Sequence, residues 1–272
     1  MGIDRQLLET TLESGIRYTY LPSSLHIFES VPSTNQTLWH LLKQGADQKS
    51  VVIATEQTSG RGQWGRKWIS PTGGLYLSVG IVPKLEATDS YQLTLASAWG
   101  IATGLRQCGI SVGIKWPNDL VLHGRKLGGI LTETKVHNGQ IIQAVVGVGI
   151  NWANPVPDTG INLESWQANQ PTPAISCLEM LTNTVLLGIE SGIECLCQEG
   201  VSVLLSRYLD LLTNIGEQVY INNLLGTVVG VNSQGKLHVS FEANDSNDIK
   251  TPEIYVEPGT ISLGYCKSSV LI

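Results

Sequence analysis

The sequence predicts an α+β fold: a mixed or antiparallel central sheet flanked by helices, followed by a small C-terminal β-barrel. Three observations predict it. At 272 residues the chain is longer than most single compact cores. Strand-like runs with short turns crowd into residues 113–151, and from Gly216 short β-rich runs alternate with turn residues. We therefore expect an N-terminal extension (1–24), a catalytic domain (25–214) and a C-terminal barrel domain (215–272).

Strands and helices alternate in the first half of the main domain. Apolar, β-branched runs predict strands at Leu25–Ser30, Val51–Ala54 and Leu75–Val82. After a proline turn, side chains suited to cap a helix running to about Gly45 are those of Ser33, Thr34 and Asn35. Leucine, isoleucine and alanine at helical spacing predict a further helix over Ser90–Leu105.

The second half of the main domain begins with closely spaced strands. An antiparallel meander is predicted from Gly113–Trp116, Asp119–His123, Lys126–Val136 and Gln140–Ile150, with a turn at residues 137–139. The Asn-, Pro- and Gly-rich segment Ala153–Thr172 is predicted to be a loop. Ala174–Leu212 is apolar enough for two helices, which we expect to separate near Ser191 and Gly192.

Composition and charge exclude several classes of protein. The net charge of −6 does not favour binding to DNA or to an acidic membrane surface. The five cysteines lack paired zinc-type spacing and are expected to be reduced thiols, Cys266 included. No signal peptide is evident near Met1, and no apolar run reaches the roughly 20 residues of a bilayer span. We expect a cytoplasmic protein.

A glycine- and cation-rich loop stands out within the polar segment Thr55–Gly74. Residues 60–68 combine three glycines, three cationic side chains and two tryptophans. Glycines let the backbone approach a ligand, Arg and Lys neutralise anionic oxygens, and Trp provides an apolar cover. The alternative is a flexible basic surface loop, although that would leave two tryptophans partly exposed. The spacing matches neither a Walker loop nor a Rossmann fingerprint.

A second run, Lys115-Trp116-Pro117-Asn118-Asp119, lies between two predicted strands. It would offer Lys115 at a strand end to a phosphate or a developing oxyanion, while Asp119 could hold a Mg²⁺ water or a backbone N–H. Alternatively, Lys115 is a surface lysine and Asn118-Asp119 an ordinary hairpin turn.

Two glycine-containing strands complete the set. Residues 124–131 place a basic pair before Gly128 and Gly129, and glycines inside a strand indicate either a close-approaching ligand or a β-bulge. Residues 147–152, Gly-Val-Gly-Ile-Asn-Trp, taken singly indicate only a strand end and a turn.

In this order the four motifs resemble those of the biotin–protein ligase family, also called biotin–[acetyl-CoA-carboxylase] ligase, from about Ser30 to the C-terminal barrel. The resemblance implies a class II synthetase-like catalytic domain with an SH3-like barrel. It implies that biotin and Mg·ATP form biotinyl-5′-AMP, and that a lysine of a biotin carboxyl carrier protein then accepts the biotin. A homodimer is also compatible with the family.

The resemblance assigns roles to individual residues. Biotin contacts are implied for Ser33, Thr34, Asn35, Gln57, Arg61, Gly62, Gln63, Lys115, Gly128, Gly129 and Ile130. ATP or adenylate contacts are implied for Arg66, Lys67, Trp68, Asn118, Asp119, Lys126 and Asn151. Lys115 and Arg61 are the expected catalytic residues, and Asp119 the expected metal contact.

The chain departs from the family pattern at Gln63, where many relatives have a basic residue, so ATP retention should rest on Arg61, Arg66 and Lys115. The short segment 1–24 predicts that the DNA-binding domain of bifunctional relatives is missing, and therefore a ligase without repressor function. Lipoate–protein ligases are the nearest alternative. A non-catalytic biotin or nucleotide sensor is the other, but it would need a DNA-reading module.

Overall fold

The structure, a computed structural model, describes residues 3–13, 24–241 and 252–265. Cys266 and half of the predicted N-terminal extension, residues 1–2 and 14–23, lie outside these residues. The helices are α1 Arg5–Glu13, α2 Thr34–Lys43, α3 Tyr91–Gln107, α4 Leu163–Gln167, α5 Leu178–Glu194 and α6 Val201–Leu209. The strands are β1 Ser24–Val31, β2 Ser50–Gln57, β3 Leu75–Ile81, β4 Gly113–Lys115, β5 Asp119–Leu122, β6 Arg125–His137, β7 Gln140–Ile150, β8 Gln218–Ile221, β9 Leu224–Val231, β10 Leu237–Phe241 and β11 Glu253–Val256.

The central sheet has seven strands in the order β1-β2-β3-β7-β6-β5-β4. Strands β1 and β2 pair in parallel, and all other neighbours pair antiparallel. Every position of β3 is buried, because α3 and α5 cover one face of the sheet and α2 covers the other. The predicted mixed sheet with flanking helices is confirmed, as is the meander of β4 to β7.

The helical layer corrects one prediction. Helix α5 runs through Ser191 and Gly192 without a break, and the helices separate instead at Gly200, whose φ is +87°. Gly192 lies against the backbone of Ala96 in α3, and a Cβ there would collide with that carbonyl. A glycine inside a helix therefore marks a close helix crossing here, not a helix end.

Helix α5 and the π-helical turn after it, Leu178–Glu199, form one helix that by length and composition alone could cross a membrane. However, 61% of its most apolar window is buried inside the protein, as in the core helix of a folded domain.

The predicted loop 153–172 needs a second correction, because it contains the short helix α4. The Oδ1 atom of Asn162 accepts a hydrogen bond of 2.8 Å from the N–H of Ser165 and so caps this helix. The prediction gave too much weight to asparagine as a loop former, although asparagine also begins helices.

The C-terminal strands form a separate antiparallel sheet in the order β11-β10-β9-β8. The predicted turn at Asn222-Asn223 is confirmed, with φ of 50° and 65° at the two residues. The indole N–H of Trp116 donates to the Gly235 carbonyl at 2.8 Å, so this sheet is attached directly to the second sequence motif. The domain boundaries themselves stay a prediction.

Candidate active site

One cavity brings most of the predicted site residues together. It lies between the N-terminus of α2, the end of β2, strands β6 and β7, loop 60–68 and the C-terminal segment 259–265. Sixteen of the eighteen residues with predicted roles line this cavity: Ser33, Thr34, Asn35, Gln57, Arg61, Gly62, Gln63, Arg66, Lys67, Trp68, Lys115, Asn118, Asp119, Lys126, Gly129 and Ile130. Gly128 and Asn151 do not line it. Their side-chain positions face β7 and the turn at Asn154 instead.

The amide end of the cavity is formed by Ser33, Thr34, Asn35 and Gln57. Gln57 Oε1 accepts from the backbone N–H of Thr34 at 2.8 Å, and so caps α2 from the neighbouring strand. Ser33 occupies the N-cap position, but its side chain makes no capping bond, contrary to its expected role. Its hydroxyl is therefore not committed to the helix.

Ser78 of β3 supports the amide end from below. Its hydroxyl lies 2.8 Å from Thr34 Oγ1 and 2.6 Å from Asn35 Oδ1. All three residues are nearly fully buried. Because buried polar groups are stable only when they are hydrogen-bonded, this network fixes the positions of the donors and acceptors that face the cavity.

Loop 60–68 folds back on itself over the cavity. The Gly62 N–H donates to the Arg66 carbonyl at 2.7 Å, and the Trp68 N–H donates to the Gly60 carbonyl at 3.0 Å. A 3-10 turn over Gln63–Gly65 forms the tip, with Trp64 at φ 53°. The loop is thus a compact hairpin that carries its cations toward the cavity.

Contacts with three other elements hold this loop in place. Arg61 forms an ion pair of 3.0 Å with Glu133 of β6. Gln63 Oε1 accepts a hydrogen bond of 3.3 Å from the hydroxyl of Tyr91 in α3, which ties the tip of the loop to that helix. The Trp68 indole packs on Gly149, where a Cβ would collide with it, and its buried Nε1 has no partner among the described residues. The indole N–H is therefore enclosed between the loop and β7.

The cation end of the cavity is formed by Lys115, Asp119 and Lys126, with Tyr265 above them. Lys126 Nζ lies 2.6 Å from Asp119 Oδ1. Lys115 is only 7% exposed, and its Nζ donates to the Leu263 carbonyl at 2.6 Å. The Tyr265 ring lies 3.9 Å from the same Nζ, and its hydroxyl donates to Asp119. The C-terminal segment therefore lies directly on the catalytic lysine candidate.

Burial affects the protonation of this end. It lowers the pKa of Lys115, an effect that Asp119 opposes and Lys126 reinforces. Burial also raises the pKa of Tyr265, and Asp119 adds to that shift, so the phenol stays protonated and can donate. The cavity thus joins a hydrogen-bonding amide end to an end with excess positive charge, as a ligand with a polar ring and a phosphate would require.

Sequence reasoning missed four residues of this region: Ser78, Glu133, Leu263 and Tyr265. Glu133 had a detectable signal, because a carboxylate inside a glycine-rich strand near the cation motif is a natural partner for a loop arginine. The other three gave none. Their importance comes from contacts with residues at least 43 positions away in the chain.

Comparison with known proteins agrees with this geometry. Residues 27–151 match the model of the biotin/lipoate A/B protein ligase family. The chain is 32% identical over 245 residues to the bifunctional ligase/repressor BirA of Salmonella typhimurium, covering 86% of this chain and 72% of that protein. It is 40% identical over 124 residues to the biotin–[acetyl-CoA-carboxylase] ligase of Paracoccus denitrificans, covering 44% of this chain and 50% of that protein.

Coverage differs among the relatives. The chain spans about half the length of some curated relatives, for example 46% of BirA of Bacillus subtilis, to which it is 32% identical over 148 residues. The fold matches a biotin protein ligase from Aquifex aeolicus in complex with biotin and ATP, with a TM-score of 0.64 and 22% identity over 86% of this chain and 96% of that one. The extent and identity of the Salmonella match show that the chain belongs to the biotin–protein ligase family.

Proposed function

We propose that this protein activates biotin with ATP as biotinyl-5′-AMP and transfers the biotin to a lysine of a biotin carboxyl carrier protein. One observation carries the proposal: a single cavity joins a buried amide end to a cationic end that contains the buried Lys115. Such a cavity suits a ligand with a polar ring at one end and a carboxylate that must meet a phosphate at the other.

The first step joins the two ligands. A carboxylate oxygen of biotin attacks the α-phosphorus of ATP, the bond to the bridging oxygen breaks, and pyrophosphate leaves with that electron pair. Negative charge grows on the non-bridging oxygens of the α-phosphate, and the Lys115 ammonium stabilises it. To do so, Lys115 exchanges its bond to the Leu263 carbonyl for a phosphate oxygen.

The second step needs no enzyme nucleophile. The neutral ε-amine of the carrier lysine attacks the acyl carbon of the mixed anhydride, AMP leaves with the electron pair of the acyl–oxygen bond, and the amine loses its proton to solvent. Loop 60–68 covers the intermediate and limits its reaction with water. Arg61 and Gly62 belong to the part of the loop nearest the amide end.

The residues divide between the two ligands as their positions suggest. The amide end and Ile130 would bind the biotin ring, whereas Arg66, Lys67, Trp68 and Lys126 would bind the nucleotide. Asn118 donates to the Ile130 carbonyl at 2.6 Å and would act by shaping this wall. Gly128 and Asn151 would act from behind the wall, through β7 and the backbone of Lys126.

Mg²⁺ would enter with the phosphates of ATP. Within the described residues there is no cluster of three or more His, Cys, Asp or Glu side chains that could hold a metal by itself. Asp119 is the carboxylate that lines the cavity, and Mg²⁺ commonly binds one carboxylate together with substrate phosphates and waters. Asp119 therefore fits as its protein contact once Lys126 turns to the phosphates, and the ion would neutralise phosphate charge.

Several finer features belong to the same proposal. The four C-terminal strands would form an SH3-like barrel, which is compatible with their antiparallel order. The carrier would be a subunit or domain of acetyl-CoA carboxylase, as the name of the Paracoccus relative suggests. We also propose a cytoplasmic location and a homodimer. The net charge of −6 supports the further proposal that the protein binds neither DNA nor membranes.

The test uses the purified chain with Mg²⁺, ATP and either biotin or lipoate, and measures pyrophosphate release. We expect release with biotin, and mass spectrometry should show one biotin added to a lysine of the carrier domain from the same source. Pyrophosphate release with lipoate but not with biotin would assign the protein to the lipoate ligases instead. Biotin binding without pyrophosphate release would indicate a sensor.

A further inference from the structure

Glu133 of β6 joins the loop to the amide end, although it belongs to none of the four motifs. Its Oε1 lies 3.0 Å from Arg61 Nη2, and its Oε2 accepts a hydrogen bond of 2.9 Å from Asn35 Nδ2. Its side chain is 24% exposed. One carboxylate therefore contacts the covering loop with one oxygen and the cavity floor with the other.

The contact with Asn35 determines how its amide is oriented. Asn35 Nδ2 also lies 3.3 Å from the Leu131 carbonyl, and Oδ1 lies 2.6 Å from the Ser78 hydroxyl. A carboxylate and a backbone carbonyl only accept hydrogen bonds, so the NH₂ group must face β6. The remaining lone pair of Oδ1 is then available to an N–H donor in the cavity, such as that of a ring urea.

The sheet is shaped to allow this arrangement. Gly147 of β7 lies under the Asn35 amide, and a Cβ at that position would collide with it. Any larger residue would displace Asn35 from Glu133. The absence of a side chain at Gly147 and the carboxylate at Glu133 thus act on the same amide from adjacent strands.

We propose that Glu133 is a positioning residue that couples biotin-ring recognition to closure of loop 60–68. The proposal rests on the proposed function, since biotin is the ligand. Glu133 fixes the acceptor face of Asn35 for the ring and holds Arg61 over the occupied cavity. A ligand that stabilises either contact also stabilises the other, because both need the same carboxylate in one rotamer.

The two contacts differ in strength. The Arg61 side chain is 51% exposed, so its ion pair contributes little to folding and allows the loop to open. The bond from buried Asn35 is charge-assisted and stronger. Loss of the carboxylate should therefore affect biotin binding more than it affects folding.

The experiment measures biotin binding alone by calorimetry and biotin dissociation by stopped flow, without ATP. We expect Glu133→Gln to raise the Kd for biotin about tenfold and to speed dissociation. The NH₂ group of the glutamine can donate to the Oδ1 atom of a flipped Asn35 amide, and the neutral side chain no longer attracts Arg61. Glu133→Asp, which retains the charge, should raise the Kd less than Glu133→Gln does. Glu29→Gln is the matched control, since Glu29 is an exposed glutamate of β1 in the same sheet.

The same substitution in a double-mutant background separates coupling from a structural role. In an Arg61→Ala, Asn35→Ala background, adding Glu133→Gln should change the Kd by less than about twofold. A persisting tenfold effect there, or a wild-type Kd in Glu133→Gln, would overturn the coupling. If Glu133→Gln does not fold, Glu133→Asp decides: a Kd equal to wild type overturns the proposal and a raised Kd supports it. If the wild-type chain itself does not bind biotin, the proposed function has failed instead.

Discussion

The two ends of the cavity are built on different principles. At the amide end, neutral side chains from α2, β2 and β3 form hydrogen bonds with one another, and their other polar groups still face the cavity. At the cation end, charged side chains are occupied by the protein itself: Lys115 by the Leu263 carbonyl, and Lys126 by Asp119. The difference teaches that the amide end is ready for its ligand, whereas the cation end must exchange protein contacts for ligand contacts.

The largest expected effect tests this division at Lys115. Lys115→Ala should reduce the rate of adenylate formation by about 10²–10³-fold, because it removes the cation that stabilises charge in the transition state. The Kd for biotin should change less than about threefold, because binding energy used only in the transition state does not contribute to ground-state binding. Single-turnover pyrophosphate release and calorimetry measure the two quantities. Equal losses in the adenylation rate and in biotin affinity would show that Lys115 has a structural role and that the two ends of the cavity do not act separately.

The second prediction concerns the amide end. Thr34→Val keeps the shape of the side chain but leaves Ser78 and Gln57 without one partner, at a cost of about 1–3 kcal/mol. We expect the Kd for biotin to rise about tenfold and the KM for ATP to stay unchanged. Thr37→Val in the same helix, at a position that does not line the cavity, is the matched control. A rise in the ATP KM equal to that in the biotin Kd would show that the two ends are not independent.

The amide end and the cation end also differ in how far the sequence predicts them. Lys115 and Lys126 were predictable because each stands in a short run whose residue types suit a ligand. Thr34 was predicted locally only as part of a helix cap, and its ligand role came from the family resemblance. Tyr265 was not, because its role depends on a contact with Asp119 across 146 residues. Asn151 was expected to contact ATP or the adenylate, yet its buried side chain is held by the Lys126 carbonyl and Asn154. Local spacing cannot tell which side of a strand end faces a cavity.

Local sequence likewise predicts some features of the fold and not others. The alternating and glycine-punctuated runs of β4 to β7 predict their own neighbours, since consecutive antiparallel strands pair through short turns. The parallel pairing of β1 with β2 and the crossing of α5 over α3 at Gly192 depend on packing between distant segments. Gly192 therefore gave a helix-breaking signal locally, and only tertiary contact shows its use.

A third prediction uses the pH dependence of the cation end. In the proposed mechanism the ammonium form of Lys115 is the active one, so the rate of adenylate formation should be at its full value below the Lys115 pKa and fall as pH rises through it. Burial lowers that pKa, so the loss should begin below the ordinary lysine value of about 10.4 and reach about tenfold one unit above the shifted pKa. Biotin binding should remain level over the same range. Lys115→Arg should have a lower rate without this alkaline decline.

The smallest effect tests whether Tyr265 competes with ATP. Its ring lies on Lys115 and its hydroxyl donates to Asp119, so it stabilises the contacts that both side chains make with the protein. Tyr265→Ala should therefore lower the KM for ATP about threefold, the size expected for loss of one cation–π contact. The KM for ATP of Tyr265→Phe should lie between those of the wild type and Tyr265→Ala, because the ring contact with Lys115 remains.

The control and the opposite outcome make this comparison decisive. Tyr220→Ala removes a tyrosine that is 74% exposed on β8 and should leave the ATP KM unchanged. If Tyr265→Ala instead raises the ATP KM while biotin binding is constant, Tyr265 contacts the nucleotide directly. The cation end would then be as ready for its ligand as the amide end, because the C-terminal segment would be part of the ATP site and would not have to leave it.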